Sequence, residues 1–270
     1  MKNLRLLIAF LAMTSTGLAG AQTPSGAGPW SGSAQPWKSI VIPPLHPFEP
    51  VQPKRIELKN GVVVFLEEDH ELPFINGTIN IKGGERDVPA AKAGLIDLYS
   101  ETWRTSGSAT MNGDKLDDLL EAKAAKVETS GDVDSTGISW NCLKGDEDQV
   151  FGIVMDLLEH PAFDDQKLQL AKQQAAAGIV RRNDDAAGIA GREAAILVYG
   201  KKNPYARVPE LATVLPISVA DLKQWHDQSL IANNIIVSVE GDFDGAIYLS
   251  ATRFKSAMVT FSTPARYCSR

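Results

Sequence analysis

Four histidines and two cysteines are all the imidazole and thiol chemistry available to this 270-residue chain. His46, His70, His160 and His226 contain no pair three or four residues apart, so no two of them can share one helix face to hold zinc. Cys142 and Cys268 are too widely spaced for a zinc knuckle. Whether they pair depends on a Cα separation that spacing does not fix, and two separate thiols is the simpler reading. His70 lies in the acidic run Glu67-Glu68-Asp69-His70-Glu71 and reads as part of a solvated loop; His160 precedes Pro161 and suits a helix end. Asp97 and Glu101 stand four apart on one helix face and could bind a hard cation, although exposed carboxylates at that spacing are the commoner case. There is no Walker-type loop, no strand-linked Gly-x-Gly-x-x-Gly and no Gly-x-Ser-x-Gly elbow, so phosphate cradling and serine hydrolysis lack their usual scaffolds.

The elements that must position these residues follow from hydrophobic periodicity. Arg55 to Leu58 and Val62 to Leu66 flank the turn Lys59-Asn60-Gly61, a strong hairpin signal, and Phe74 to Lys82 alternates as a further strand. Ala90 to Thr105 and Asn112 to Lys126 carry helical spacing. Val127 to Thr129 and Thr136 to Leu143 read as strands. Helices are then expected over 149–159, 164–183, 188–199 and 218–229, the last opened by Ser218 and Asp221 as a capping-box variant, and a strand over 235–240. Strands and helices segregated in this way predict an α+β fold, an antiparallel sheet covered by helices on one side.

The composition, 44% hydrophobic and 22% charged, is that of a globular protein, and a net charge of −6 offers no basic excess for nucleic acid. Residues 1–21 read as a signal peptide: Lys2 and Arg5, an apolar stretch from Leu6 to Met13, and small residues around Ala19-Gly20-Ala21. That points to a periplasmic or secreted protein, and the apolar stretch is far shorter than the roughly 20 residues of a membrane span. Residues 22–53 are rich in Pro, Gly and Ser and should be extended. Residues 54–245 hold the folded unit, and 246–270 form a tail without a familiar pattern.

Several short segments carry a further signal. They are Leu58-Lys59-Asn60-Gly61-Val62; Lys82-Gly83-Gly84-Glu85-Arg86-Asp87 followed by Ala93-Gly94-Leu95; Ser106-Gly107-Ser108; Leu157-Leu158 with Pro161-Ala162-Phe163; Tyr199-Gly200 with Asn203-Pro204-Tyr205-Ala206; Asn233-Asn234; and Val239-Glu240-Gly241-Asp242-Phe243. In this order they resemble one repeat of the insulinase/pitrilysin-type zinc peptidases, the inverted-motif class with His-x-x-Glu-His on a helix. The resemblance implies antiparallel strands covered by helices on one side, and a zinc site on the first helix. The motif itself is degenerate. Asp97 stands where the family places its first His ligand, Ser100 where it places the general-base Glu, and Glu101 where it places the second His. The distal Glu ligand should fall near Ala177-Gly178-Ile179, and neither Ala177 nor Gly178 can bind a metal.

Zinc hydrolysis needs about three ligands, an open water position and a base. The matched positions do not supply them, so no catalytic residue, no metal ligand and no zinc or other cofactor is expected. The resemblance implies a non-catalytic homologue that supports peptide binding or an active zinc peptidase subunit of the same family. Two alternatives stand beside it. One is a zinc endopeptidase with an altered site, for which Asp97, Glu101 and Glu85 are the available carboxylates; the other is a structural or peptide-binding module that needs no peptidase partner.

Overall fold

A computed structural model of the chain describes residues 40–47 and 49–244. The expected signal peptide, most of the Pro-rich segment, Cys268 and the tail lie outside the described residues. The chain divides into two units, 1–49 and 50–270. In the first, the described residues form no helix or strand and expose Ile40, Val41, Ile42 and Leu45.

Among its described residues, the second unit contains one six-stranded sheet and seven helices. In chain order these are β1 (Lys54–Glu57), β2 (Val63–Glu68), β3 (Phe74–Lys82), α1 (Leu95–Ser106), α2 (Gly113–Ala122), β4 (Lys126–Gly131), β5 (Ser135–Leu143), α3 (Glu147–Glu159), α4 (Asp165–Arg181), α5 (Ala186–Tyr199), a short α6 (Leu211–Val214), α7 (Val219–Ser229) and β6 (Ile235–Gly241). The α+β class and the helix-covered sheet expected from the sequence are what the chain forms. The strand order is β1-β2-β6-β3-β5-β4. Every neighbouring pair is antiparallel except β2 and β6, which run parallel. The exception is geometric: β2 and β3 run in opposite directions, and a strand inserted between two such strands can oppose only one of them.

Period-two alternation decides the two faces of the sheet. Ile75, Ile79 and Ile81 of β3, Ile138 and Trp140 of β5, and Val237 and Val239 of β6 point inward to the buried core. Leu98, Tyr99, Trp103, Leu157, Leu158 and Leu168 come down on them from the helices. The opposite face carries Asn76, Thr78, Asn80, Ser139, Asn141, Ser238 and Glu240, none of them buried. Cys142 is buried on the inward face of β5, and burial, with the charges of Glu147 and Asp146, pushes its thiol up to about 12.

Helix boundaries are set by local chemistry. The first helix begins at Leu95, not Ala90, because Gly94 adopts φ 92° in the left-handed region and Ala90–Lys92 form only a 3-10 turn. Asp164 caps α4 by accepting from the amides of Gln166 and Lys167. Ser218 and Asp221 form the reciprocal capping box that opens α7. His160 ends α3 as the spacing suggests. The short α6 has too few residues to leave a periodic signature and is not anticipated by the sequence.

Two features of the core generate tests. The indole of Trp140 lies over Gly77, where a Cβ would come within 1.9 Å of Cζ2. Because Trp140 is buried and has nowhere to retreat, Gly77→Ala is expected to lower stability by about 1–3 kcal/mol in denaturant unfolding.

His226 is buried between α1 and α3. Its Nε2 donates to the Leu158 carbonyl at 3.0 Å, which leaves Nδ1 to accept from the Tyr99 hydroxyl at 2.8 Å. Burial holds the imidazole below its usual value of 6.5, against the opposing pull of the Leu158 carbonyl and the Asp227 charge. The unfolded chain therefore binds a proton that the folded chain refuses. Stability should be full above the unfolded value and be lost as pH falls below about 6.5. Urea midpoints measured between about pH 7.5 and 5.5 are expected to fall more steeply for the native chain than for His226→Gln.

Candidate functional site

The outward face of α1 carries the three residues that stand at the motif positions. Asp97 and Glu101 are exposed and Ser100 is half-buried. The start of the helix is fastened by Glu85: its Oε1 accepts from the Gly94 amide at 3.1 Å. Arg207 in turn grips this segment, donating to the carbonyls of Glu85 at 3.1 Å and Val88 at 2.6 Å, with its guanidinium 3.9 Å from Glu85 Oε1. Gly94 is required twice over, by its positive φ and because a Cβ there would meet Val214 and Pro209.

Burial pushes the Glu85 carboxyl above its usual range, a shift opposed by the amides of Gly94 and Ile96 and reinforced by the charge of Asp97. Asp97 is also raised, by desolvation first and by Asp132 second. Ser100 turns toward β4: its Oγ donates to the Asp97 carbonyl at 3.1 Å, and a Cβ on Gly131 would lie 3.3 Å from that Oγ. The Ser100 carbonyl accepts from Thr129 Oγ1 at 2.6 Å, which ties α1 to the edge strand.

Helix α4 faces α1 across a cleft of about 280 Å3. Gly94 and Asp97 line one side, and Ala175, Gly178, Ile179 and Arg182 the other, with Val208, Pro209, Val214 and Arg192 completing the walls. The fold thus brings the first motif position and the expected distal-ligand segment to one cavity. It also selects Gly178 within that segment, since Gly178 lines the cleft and Ala177 does not.

The donor set does not fit zinc. Glu85 Oε2 is buried without a hydrogen-bond partner, but its other oxygen is held by Gly94 and faces Arg207. Among the described residues, no group of three or more His, Cys, Asp or Glu side chains is arranged to hold a metal ion. The alternative site of Asp97, Glu101 and Glu85 is therefore not assembled as a ligand set.

The remaining histidines fall elsewhere. His70 is exposed beyond β2, and its Nδ1 donates to the Asp242 carboxylate at 2.6 Å, while Lys144 donates to the same carboxylate at 2.7 Å. His160 lies 3.5 Å from Asp156 on α3, and His226 is in the core. Sequence reasoning missed Arg182, Arg192 and Arg207. Arginine is unremarkable in a sequence, and only Arg207 had a cue, its place directly after the Asn203-Pro204-Tyr205-Ala206 landmark. In that landmark Tyr205 donates to Asp134 at 2.6 Å, so the segment clamps the β4–β5 turn.

Rebuilding the missing ligands tests this geometry. The native chain is expected to retain no stoichiometric zinc after dialysis. The variant Asp97→His/Ser100→Glu/Glu101→His should bind zinc weakly and give no robust peptide hydrolysis. Adding Gly178→Glu should tighten zinc by at least about tenfold in chelator competition, and adding Ala177→Glu should not.

No family model matches the chain. The non-peptidase homolog YmxG of Helicobacter pylori is 24% identical over 188 residues, which cover 67% of this chain and 42% of that protein. Among solved structures, a peptidase M16 inactive domain from Pseudomonas fluorescens aligns with a TM-score of 0.70 at 20% identity, over 80% of this chain and 53% of that one. The periplasmic protease PqqL of Escherichia coli aligns with a TM-score of 0.69 at 17% identity, over 81% of this chain and 25% of its own length. The chain thus spans about half, or less, of the proteins it matches. The chain has the fold of the M16 peptidase-type domains it is similar to, and no His-x-x-Glu-His occurs in its sequence.

Proposed function

We propose that this chain is a non-catalytic insulinase-type module that works beside a second, active repeat of the same fold and contributes to holding peptide. The observation that carries the reading is the cleft between α1 and α4: Asp97, at the first position the resemblance assigns to a ligand, and Gly178, in the segment expected to hold the distal one, line it together with two arginines, and neither Gly178 nor an arginine can hold zinc. Its relatives, a peptidase M16 inactive domain and a non-peptidase homolog, agree with that reading.

The partner follows from shape and surface. Helix α5 buries no residue, and it leaves Ile189, Leu197 and Val198 exposed, the last two at 87% and 72%. Exposed apolar side chains of this kind fit burial against another subunit. PqqL, in which the matching region is a quarter of the chain, supports that reading, since there the same fold is part of a longer protein.

Peptide contact is assigned to the polar face of the sheet. A hollow of about 390 Å3 there is lined by Glu67, Asp69, Glu71 and Glu240 around Asn76 and Asn141. Asn141 donates to Asn76 at 2.6 Å, and Asn76 to Glu240 at 3.3 Å. Such a surface can hydrogen-bond an extended peptide and attract its cationic side chains. The N-terminal signal pattern and the periplasmic relative support export to the periplasm or beyond, and no helix among the described residues is long and apolar enough to cross a membrane.

Mixing the purified chain with an insulinase-type subunit that retains His-x-x-Glu-His tests the proposal. The pair is expected to co-elute and to cleave an unstructured peptide faster than the active subunit alone, while the chain alone cleaves nothing. Chelator-sensitive cleavage by the chain alone, or the absence of any complex or stimulation, would overturn it.

A further inference from the structure

The cleft between α1 and α4 has a composition that suits a ligand of its own. Ala175, Ile179, Val208, Pro209 and Val214 make its walls largely apolar, and two guanidinium groups line it. Arg182 is neutralised by Glu210 at 2.8 Å and donates to the Pro209 carbonyl at 3.0 Å. Arg192 differs. It donates to two uncharged acceptors, the Arg182 carbonyl at 3.0 Å and the Asn183 side chain at 2.6 Å, and no carboxylate pairs with it among the described residues.

A half-buried guanidinium without a counter-charge attracts an anion, and its planar fork matches a carboxylate. Apolar walls next to it favour hydrocarbon attached to that carboxylate. Asp97 on the α1 side carries a charge that opposes an anion, which makes Arg192 the place for the carboxylate. Gly178 leaves the mouth open: a Cβ built there meets nothing within 4 Å.

We propose that this cleft binds an apolar monocarboxylate, with hydrocarbon against Ile179, Pro209 and Val214 and the carboxylate on Arg192. Two sources present that chemistry, the C-terminal residue of a peptide and a free acid. The proposal concerns the chain alone and does not depend on a partner subunit, so failure to form a complex leaves it untouched.

Calorimetric titration of the full chain with three probes decides it: a pentapeptide ending in leucine with a free carboxylate, the same peptide amidated, and octanoate. Binding of the acid peptide at least about tenfold tighter than the amide identifies a peptide end, and binding of octanoate identifies a free acid. In either case Gly178→Leu, which fills the mouth while replacing a poor helix former, should abolish binding without lowering the melting temperature. Arg192→Gln, which keeps a donor and removes the charge, should weaken binding about tenfold. Equal affinity for acid and amide with no octanoate binding, no binding of any probe, or binding that survives Gly178→Leu would overturn the proposal. Should Arg192→Gln fail to fold, the acid-to-amide ratio and Gly178→Leu still decide it.

Discussion

The insertion of β6 between β2 and β3 is the constraint on which the remainder of the molecule depends. A strand from the far end of the folded unit takes up hydrogen-bonding positions on both sides, in register from Ile235 to Gly241. Backbone bonds from Asp69 to the Gly241 carbonyl and from Asp242 to the Phe74 carbonyl, both 2.9 Å, then close the same end of all three strands. Without that strand, β1 and β2 would be an isolated hairpin, and such hairpins are marginal in water. With it, one continuous inner face meets α1, α3 and α7, and one polar face is left free. The pairing is entirely non-local, so the core cannot be completed until the chain has been traversed almost to its described end.

Protein contacts hold α1 and α4 on either side of the cleft. These helices are positioned by Glu85 on the Gly94 amide, by Arg207 on two carbonyls, and by the buried Lys172, which reaches across from α4 to the Leu215 carbonyl at 2.8 Å. Packing of Leu168 and Ala171 into the core completes the arrangement. None of these contacts uses a side chain at position 97 or 178, so substitution at either is inexpensive for folding.

Much of this was legible from residues alone. The alternation of β3 gave its limits at both ends, the Asn-Gly turn gave the first hairpin, and Ser218 with Asp221 gave the start of α7. Each of those signals is local. What escaped was set by distant contacts or by single backbone torsions: the parallel β2–β6 pair, the delay of α1 to Leu95 by Gly94, and the short α6. The candidate site divides in the same way. Spacing placed Asp97, Ser100 and Glu101 on one helix, and the family likeness placed the distal position near Gly178. The arginines converge from α4 and α5 by tertiary packing, which leaves no periodic trace in a sequence.

Cys142, buried in the middle strand of the β3–β5–β4 ribbon, gives the sheet an internal clock. Alkylating reagents attack the thiolate, and a thiol pushed up to about 12 offers almost none while β5 stays paired. Modification at neutral pH therefore has to wait for the strand to lift, and its rate counts those openings. A single natural side chain thus converts the breathing of the sheet into a chemical rate, with no label added to the fold.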